Sequence, residues 1–143
     1  MTNATMTAFG YPETLVRQFE HWAILVRPAQ VTLGSLILVS TSEATAFGAL
    51  PQGAHAELGA VIPAIEASLR DFVHYEKINY LMLMMVDPHV HFHVLPRYSG
   101  IRSWHGLELA DAGWPGPPDL KSAIAFDAAQ QSALRDDIVA RLG

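Results

Sequence analysis

The chain contains no cysteine, so its 143 residues offer neither disulfide bonds nor thiolate ligands for a metal. Lysine and arginine total 9 against 14 aspartates and glutamates, which gives a formal net charge of −5. Because no cluster of basic residues occurs, the chain is not expected to bind nucleic acid polymers or anionic membranes. A small anionic ligand is still compatible, since a few arginines and oriented amides can hold one phosphate.

Long apolar runs are missing as well. The most apolar stretches, Trp22–Val26, Leu33–Val39 and Tyr80–Val86, are far shorter than the roughly 20 residues that a membrane helix needs. The first 15 residues lack the basic start and apolar centre of a signal peptide. We therefore expect a cytoplasmic protein. A hydrophobic share of 50% and the absence of linkers indicate one domain, residues 1–143.

Four segments rich in strand-forming residues predict an antiparallel sheet. His21–Val26 and Val31–Ser40 are expected to pair as a hairpin. Asn79–Val86 is apolar on both faces, which predicts a third strand at the centre of the sheet, with Met82, Met84 and Met85 filling the core. A turn signal then leads into the fourth strand, His89–Arg97.

Two helices are predicted beside these strands. Apolar residues recur three and four positions apart from residue 53 to about 74, which indicates a long helix with a bend at Pro63. The pattern of Phe126–Leu142 predicts a C-terminal amphipathic helix capped by Asp127. Its expected buried face consists of Ala128, Leu134, Ile138 and Leu142.

The segment between the last strand and the last helix is expected to be irregular. Residues 100–120 contain the glycines and prolines of "GWPGPPDL", which oppose regular structure. Trp104 and Trp114 in this segment are expected to anchor the loop or a dimer contact rather than to stack on a base. Strand pairs combined with long helices indicate the α+β class.

Three histidines stand at alternate positions in "HVHFHVLPR", residues 89–97. Side chains two apart on a strand point to the same face about 6.6 Å apart, so His91 and His93 share a face. His89 either joins them or lies in the preceding turn.

Three interpretations fit this pattern. In the first, the three histidines lie on a solvated strand face by chance and have no function. Alternatively, His91 and His93 can bind a metal with a third ligand from the following loop, such as His105 or Asp111. Arg97 on the same face would oppose a metal. In the third interpretation, which we favour because it needs no further ligand, one neutral imidazole attacks phosphorus while its neighbours supply protons and hydrogen bonds.

The motif His89–Leu95 resembles the signature His-φ-His-φ-His-φ-φ, where φ is apolar, of the histidine triad superfamily. The following Pro-Arg resembles the dinucleoside polyphosphate hydrolase branch. The resemblance covers about residues 20–97, leaving 98–143 as a C-terminal loop and helix. It implies an α+β domain with about five antiparallel strands, a homodimer, and no cofactor. It also implies hydrolysis or transfer of nucleotidyl groups at an α-phosphate of nucleoside phosphates, dinucleoside polyphosphates or phosphoramidates.

The resemblance also implies roles for single residues. The middle histidine, His91, would form a nucleotidyl-histidine, with His89 and His93 orienting it and contacting the phosphate or leaving group. We assign substrate binding to three further residues: Arg27, Ser35 and Arg97.

The loop before the motif departs from the family pattern. Residues 85 and 86, Met and Val, stand where relatives have a Gln-Ser or Gln-Thr pair that contacts phosphate, and the loop ending at Pro88 is short. Arg27 aligns with an Asn or Asp that contacts ribose in relatives. A nucleotide-binding protein with little turnover is therefore the alternative to an enzyme.

Overall fold

The computed structural model describes residues 2–142. Five strands build the main sheet: β1 (Leu15–Gln18), β2 (Trp22–Val26), β4 (Leu36–Ser40), β5 (Lys77–Leu81) and β6 (His91–Arg97). The shorter strands are β3 (Ala29–Gln30), β7 (Ile101–Trp104), β8 (Leu107–Ala110) and β9 (Ile124–Ala125). The α-helices are α1 (Ala4–Ala8), α2 (Gln52–Val73) and α3 (Ala128–Val139).

The main sheet is antiparallel throughout, in the spatial order β1-β2-β4-β6-β5. The predicted α+β class and five-stranded sheet are confirmed. The predicted hairpin is confirmed too, as β2 pairs with β4. Its second strand is shorter than expected, because the side chain of Gln30 accepts hydrogen bonds from the backbone N–H groups of Gly34 and Ser35 and holds them in a loop.

The two faces of the sheet pack against different layers. Helix α2 covers one face, and its fully buried Val61, Ile65 and Leu69 belong to the main core. A second, smaller core lies on the other face, where the N-terminal segment covers the sheet. This core consists of Met6, Ala23, Leu25, Ile37 and Val39.

The smaller core shares its face of the sheet with two histidines. His91 is paired with Val39, and His93 with Ile37. Because directly opposite residues of antiparallel strands point to the same face, both imidazoles lie on the side that the N-terminal segment covers.

The prediction of a central third strand is wrong. Strand β5 lies at the edge of the sheet, and it ends at Leu81 instead of Val86. Met82 and Met84 pack against the main core as expected, but Met85 and Val86 are 87% and 90% exposed. The apolar run therefore combines a half-buried edge strand with an exposed loop.

The bounds of α2 and α3 agree with the predicted ranges to within about three residues, and the bend expected at Pro63 stays a prediction. Helix α2 runs through Pro63 as one element of 22 residues. Asp127 caps α3 in a reciprocal capping box with Gln130, as the sequence predicted for the cap. Leu134 and Ile138 are fully buried and Leu142 packs against the core, but Ala128, the first residue of the helix, is exposed and does not belong to the buried face.

The expectation of an irregular segment at residues 100–120 is half wrong. Strands β7 and β8 form an antiparallel hairpin there, and irregular structure begins only after Ala110. Within residues 2–142, no helix has both the length and the apolar composition needed to cross a bilayer.

Candidate active site

An open cavity of about 370 Å³ lies on the face of the sheet that carries His91 and His93. Its remaining wall comes from four parts of the chain: the residue after β2, the N-terminal segment, the loop after β5, and the segment after β8. These residues are Phe9, Arg27, Leu83, Met84, Met85, Val86, Asp87 and Leu120.

His91 is held in one defined tautomer. Its Nδ1 atom lies 2.7 Å from the carbonyl oxygen of His89. A carbonyl oxygen only accepts hydrogen bonds, so Nδ1 carries the proton and Nε2 keeps its lone pair. The residue is 2% exposed, and its ring packs against Phe9 with a centroid distance of 5.5 Å. A fixed ring with an available Nε2 is the arrangement that nucleophilic attack requires.

His93 has the opposite tautomer. The Nε–H of Arg27 donates a hydrogen bond to Nδ1 of His93 at 3.2 Å, so the proton of the neutral ring is on Nε2. Burial lowers the pKa of His93 to about 4, and the positive charge of Arg27 and the nearby His91 add to the effect. At neutral pH, His93 is therefore an uncharged hydrogen-bond donor 5.1 Å from His91 between ring centroids.

His89 lies two residues before the start of β6, and its ring does not line the cavity. Its Nδ1 is 2.9 Å from the hydroxyl of Thr5, and its Nε2 is 3.1 Å from Oε1 of Glu43. The ring of His89 is therefore held by Thr5 and Glu43 and is not part of the cavity wall that His91 and His93 help to form. Its contribution to the site is the backbone carbonyl that orients His91.

Arg27 joins the two histidines at the cavity. Its side chain is half-buried, and Nη1 donates to the carbonyl of Ala29 at 2.5 Å. Burial lowers the pKa of this guanidinium, although arginine remains charged at any physiological pH. The structure therefore brings Arg27, His91 and His93 together, as expected for residues of one site.

Ser35 and Arg97 are not at the cavity, and their positions correct the expectation of substrate binding. Ser35 is fully buried, where its hydroxyl donates to the carbonyl of Thr32 at 2.7 Å and accepts from the same residue's N–H. Arg97 makes two hydrogen bonds to Asp111, at 2.6 and 3.0 Å. Both side chains already have internal partners, so neither is available to a ligand.

Trp104 and Trp114 also lie outside the cavity wall. Trp104 stacks on Phe126 at 5.6 Å and donates from Nε1 to Asp137 at 2.7 Å. The predicted anchoring role is confirmed for Trp104, since these contacts tie the β7-β8 hairpin to helix α3.

The metal interpretation receives no support from the positions of possible ligands. Among residues 2–142, no group of three or more histidine, aspartate or glutamate side chains is placed to hold a metal ion. The expected third ligands are engaged elsewhere: His105 lies 3.5 Å from Asp137, and Asp111 pairs with Arg97.

Phe9, Thr5 and Glu43 are parts of the site that the sequence did not reveal. Phe9 packs against both cavity histidines, while Thr5 and Glu43 contact His89. No motif marks these residues, and the only hint is that the N-terminal segment has enough apolar side chains to cover part of a sheet.

Solved structures show which fold this five-stranded antiparallel sheet belongs to. Comparison of the sequence with known protein families and with curated proteins gives no match. A histidine triad protein of Sinorhizobium meliloti has a TM-score of 0.76 at 19% identity, covering 99% of this chain and 96% of that one. A histidine triad protein of Bradyrhizobium japonicum has a TM-score of 0.73 at 18% identity, and the match covers 100% of this chain and 98% of that one.

A zinc-bound histidine triad family protein of Mycobacterium smegmatis is also similar. Its TM-score is 0.61 at 17% identity, and the match covers 96% of this chain and 91% of that one. The chain has the histidine triad fold, so the resemblance seen in the motif at residues 89–95 is confirmed at the level of fold.

Proposed function

We propose that this protein is an enzyme that hydrolyses or transfers a nucleotidyl group at an α-phosphate, through a covalent bond to His91. The observation that carries the proposal is the hydrogen bond from Nδ1 of His91 to the carbonyl of His89. It leaves Nε2 as the basic atom of a fixed ring beside an open cavity. The proteins that the sequence resembles carry out this chemistry with the corresponding histidine.

The proposed reaction has two displacements. In the first, the Nε2 lone pair of His91 forms a bond to the α-phosphorus, and the bond to the leaving group breaks with its electron pair. The ring becomes positively charged, and the carbonyl of His89 stabilises that charge by accepting from Nδ1. Water or another acceptor then attacks phosphorus, loses its proton to solvent, and returns the electron pair to Nε2.

His93 and Arg27 supply the electrostatic part of this scheme. The Nε2–H of His93 and the guanidinium of Arg27 are donors beside His91, suited to the non-bridging phosphate oxygens. Because the pKa of His93 is about 4, its ring donates a hydrogen bond and does not carry a transferable excess proton at neutral pH. A leaving group that needs protonation must then take its proton from water.

The charge of the cavity favours substrates with few negative charges. Among the described residues that line it, Arg27 is the only permanent cation and Asp87 adds a carboxylate. A polyphosphate chain carries several charges that one arginine does not balance. Within the proposed substrates, we therefore favour nucleoside phosphoramidates and single-phosphate esters over dinucleoside polyphosphates.

A nucleotide-binding protein with little turnover is the second candidate. The observation in its favour is the wall of Leu83, Met84, Met85 and Val86, whose side chains offer no hydrogen-bond donor where relatives have a Gln-Ser or Gln-Thr pair. A zinc enzyme using His91 and His93 has less support, although one similar structure is zinc-bound. No third side chain of the described residues accompanies these two as a ligand.

The test is turnover of an adenosine 5′-phosphoramidate and of a dinucleoside polyphosphate, with and without chelator. His91→Ala should lower the rate by about a thousandfold or more, because the covalent route is lost. His55→Ala, which removes an exposed histidine of α2 outside the cavity, is the matched control and should act like the parent protein. Nucleotide binding without turnover selects the second candidate, and chelator-sensitive turnover selects the zinc enzyme.

We also propose that the protein forms a homodimer through the edge of the main sheet. Strand β5 pairs with β6 on one side, and no described strand pairs with its other side. The exposed Leu83, Met85 and Val86 follow directly after this edge. Unpaired backbone groups and neighbouring apolar side chains are the features through which edge strands associate.

A cytoplasmic location stays a prediction.

A further inference from the structure

The N-terminal segment is fixed to the sheet beside the histidines. The side-chain amide of Asn3 donates hydrogen bonds to the carbonyls of Ser40 and Ser42, both at 2.8 Å. Its oxygen also accepts from the N–H of Met6 and so caps helix α1. Met6 is fully buried in the smaller core. Because Asn3 and Met6 are fixed on either side of it, Thr5 has a defined position beside the sheet.

Thr5 makes two contacts to His89, which is 84 positions away in the sequence. Its hydroxyl oxygen accepts a hydrogen bond from the backbone N–H of His89 at 3.2 Å. The same oxygen lies 2.9 Å from Nδ1 of the His89 ring. Thr5 is 1% exposed, so solvent does not compete for these contacts.

The direction of the second contact follows from Glu43. Its carboxylate, 3.1 Å from Nε2 of His89, only accepts hydrogen bonds. In the neutral ring the proton is therefore on Nε2, and Nδ1 accepts from the Thr5 hydroxyl. Thr5 thus holds both the backbone N–H and the ring of His89, while Glu43 holds the far side of the ring.

We propose that Thr5 is a positioning residue: by fixing His89, it places the carbonyl that keeps the proton of His91 on Nδ1. The proposal rests on the proposed function, in which Nε2 of His91 must be the free atom. The carbonyl of His89 is the hydrogen-bond acceptor of Nδ1, at 2.7 Å. If this carbonyl shifts, the hydrogen bond that favours the proton on Nδ1 is lost. The other tautomer carries its proton on Nε2 and has no nucleophilic lone pair there.

The experiment compares Thr5→Val, which removes the hydroxyl at nearly constant shape, with Thr5→Ser, which keeps it. Thr7→Val is the matched control, because Thr7 is in the same short helix, is exposed, and has a hydroxyl that donates to the Asn3 carbonyl at 3.4 Å rather than to His89. One readout is the pair of imidazole ¹⁵N shifts of His91, which report its tautomer without any substrate. The other is kcat and KM for adenosine 5′-phosphoramidate.

For Thr5→Val we expect His91 shifts that indicate mixed tautomers and a kcat about tenfold lower at similar KM, as for the loss of one buried hydrogen bond. Thr5→Ser should restore the shifts and most of kcat, and Thr7→Val should resemble the parent protein. Thr5→Ala, which favours the helix and also lacks the hydroxyl, gives the same test should Thr5→Val fail to fold.

Unchanged His91 shifts in Thr5→Val or Thr5→Ala would overturn the proposal, as would a loss in Thr5→Ser equal to that in Thr5→Val. Failure of the proposed function is a separate result. If the parent protein turns over no nucleotide, the ¹⁵N shifts still decide whether Thr5 controls the tautomer of His91.

Discussion

The guanidinium of Arg27 donates a hydrogen bond from Nε to Nδ1 of His93, with 3.2 Å between the two nitrogens. A permanent cation therefore lies directly against an imidazole and, together with burial, favours the uncharged form of that ring. The contact fixes the tautomer of His93 and directs its single N–H at the cavity side of the ring. It also makes the protonation of His93 depend on Arg27.

Replacing Arg27 should therefore change the pKa of His93. Arg27→Gln removes the neighbouring charge, and we expect the pKa of His93 to rise from about 4 part of the way toward its usual value. The rise is partial because burial, the larger cause, remains. An NMR pH titration of the His93 ring measures it, with Arg135→Gln on the exposed face of α3 as the control. An unchanged pKa in Arg27→Gln would show that the contact has no electrostatic effect.

The low pKa of His93 should also make the stability of the fold depend on pH. Between about pH 6.5 and pH 4 the unfolded chain binds a proton at this residue that the folded chain does not, so stability decreases as the pH falls through this window. We expect His93 to lower the free energy of unfolding by about 2 kcal/mol at pH 4.5 relative to neutral pH.

Urea unfolding of the parent protein and of His93→Asn at both pH values isolates this contribution. Asparagine keeps an acceptor for Arg27 and does not titrate, so its stability should fall less on acidification. Equal losses in the two proteins would contradict the assignment of the pH dependence to His93.

Much of the fold follows from local pattern in the sequence. The hairpin of β2 and β4, helix α2 and the Asp127 cap were predictable because each depends on residues near one another in the chain. The triad strand was predictable for the same reason, and so was the shared face of His91 and His93.

The surroundings of the histidines were not predictable in this way. Thr5 and His89 are 84 positions apart in the sequence, and nothing near either residue specifies the hydrogen bond between their side chains. Arg97 was assigned to substrate because its strand position places it on the histidine face, but the distant Asp111 already neutralises it. The edge position of β5 was missed because a run of apolar residues looks the same whether it is central or exposed at one end.

The buried pair of Arg97 and Asp111 leads to a prediction about stability. Their side chains are 4% and 1% exposed, so Arg97→Met leaves an unpaired buried carboxylate and should cost about 3 kcal/mol of unfolding free energy. Arg135→Met removes an exposed pair with Asp136 and should change stability by less than about 1 kcal/mol. Chemical denaturation compares the two.

Arg97→Lys tests whether this arginine also binds substrate. It keeps the charge, and we expect KM for the phosphoramidate to stay within about twofold of the parent value, because the side chain lies outside the cavity. A large rise in KM in a folded variant would restore Arg97 as a substrate-binding residue.

The proposed association through β5 predicts the mass of the particle in solution. Light scattering after size exclusion should give twice the 15.6 kDa of one chain. We expect the backbone amides on the outer edge of β5 to be protected from hydrogen exchange, because pairing with a second copy satisfies them. A monomeric mass at micromolar concentration, with rapid exchange along β5, would contradict the dimer.

The central claim is that Nε2 of His91 forms a covalent bond to phosphorus, and the most direct measurement is the location of that bond. Trypsin cleaves after Lys77 and Arg97, so one peptide, residues 78–97, contains all three histidines of the motif. After a rapid alkaline quench of a reaction with adenosine 5′-phosphoramidate, fragmentation of this peptide should show an added adenylyl group on His91. An adduct on His89 or His93, or turnover in which no adduct forms, would contradict the account.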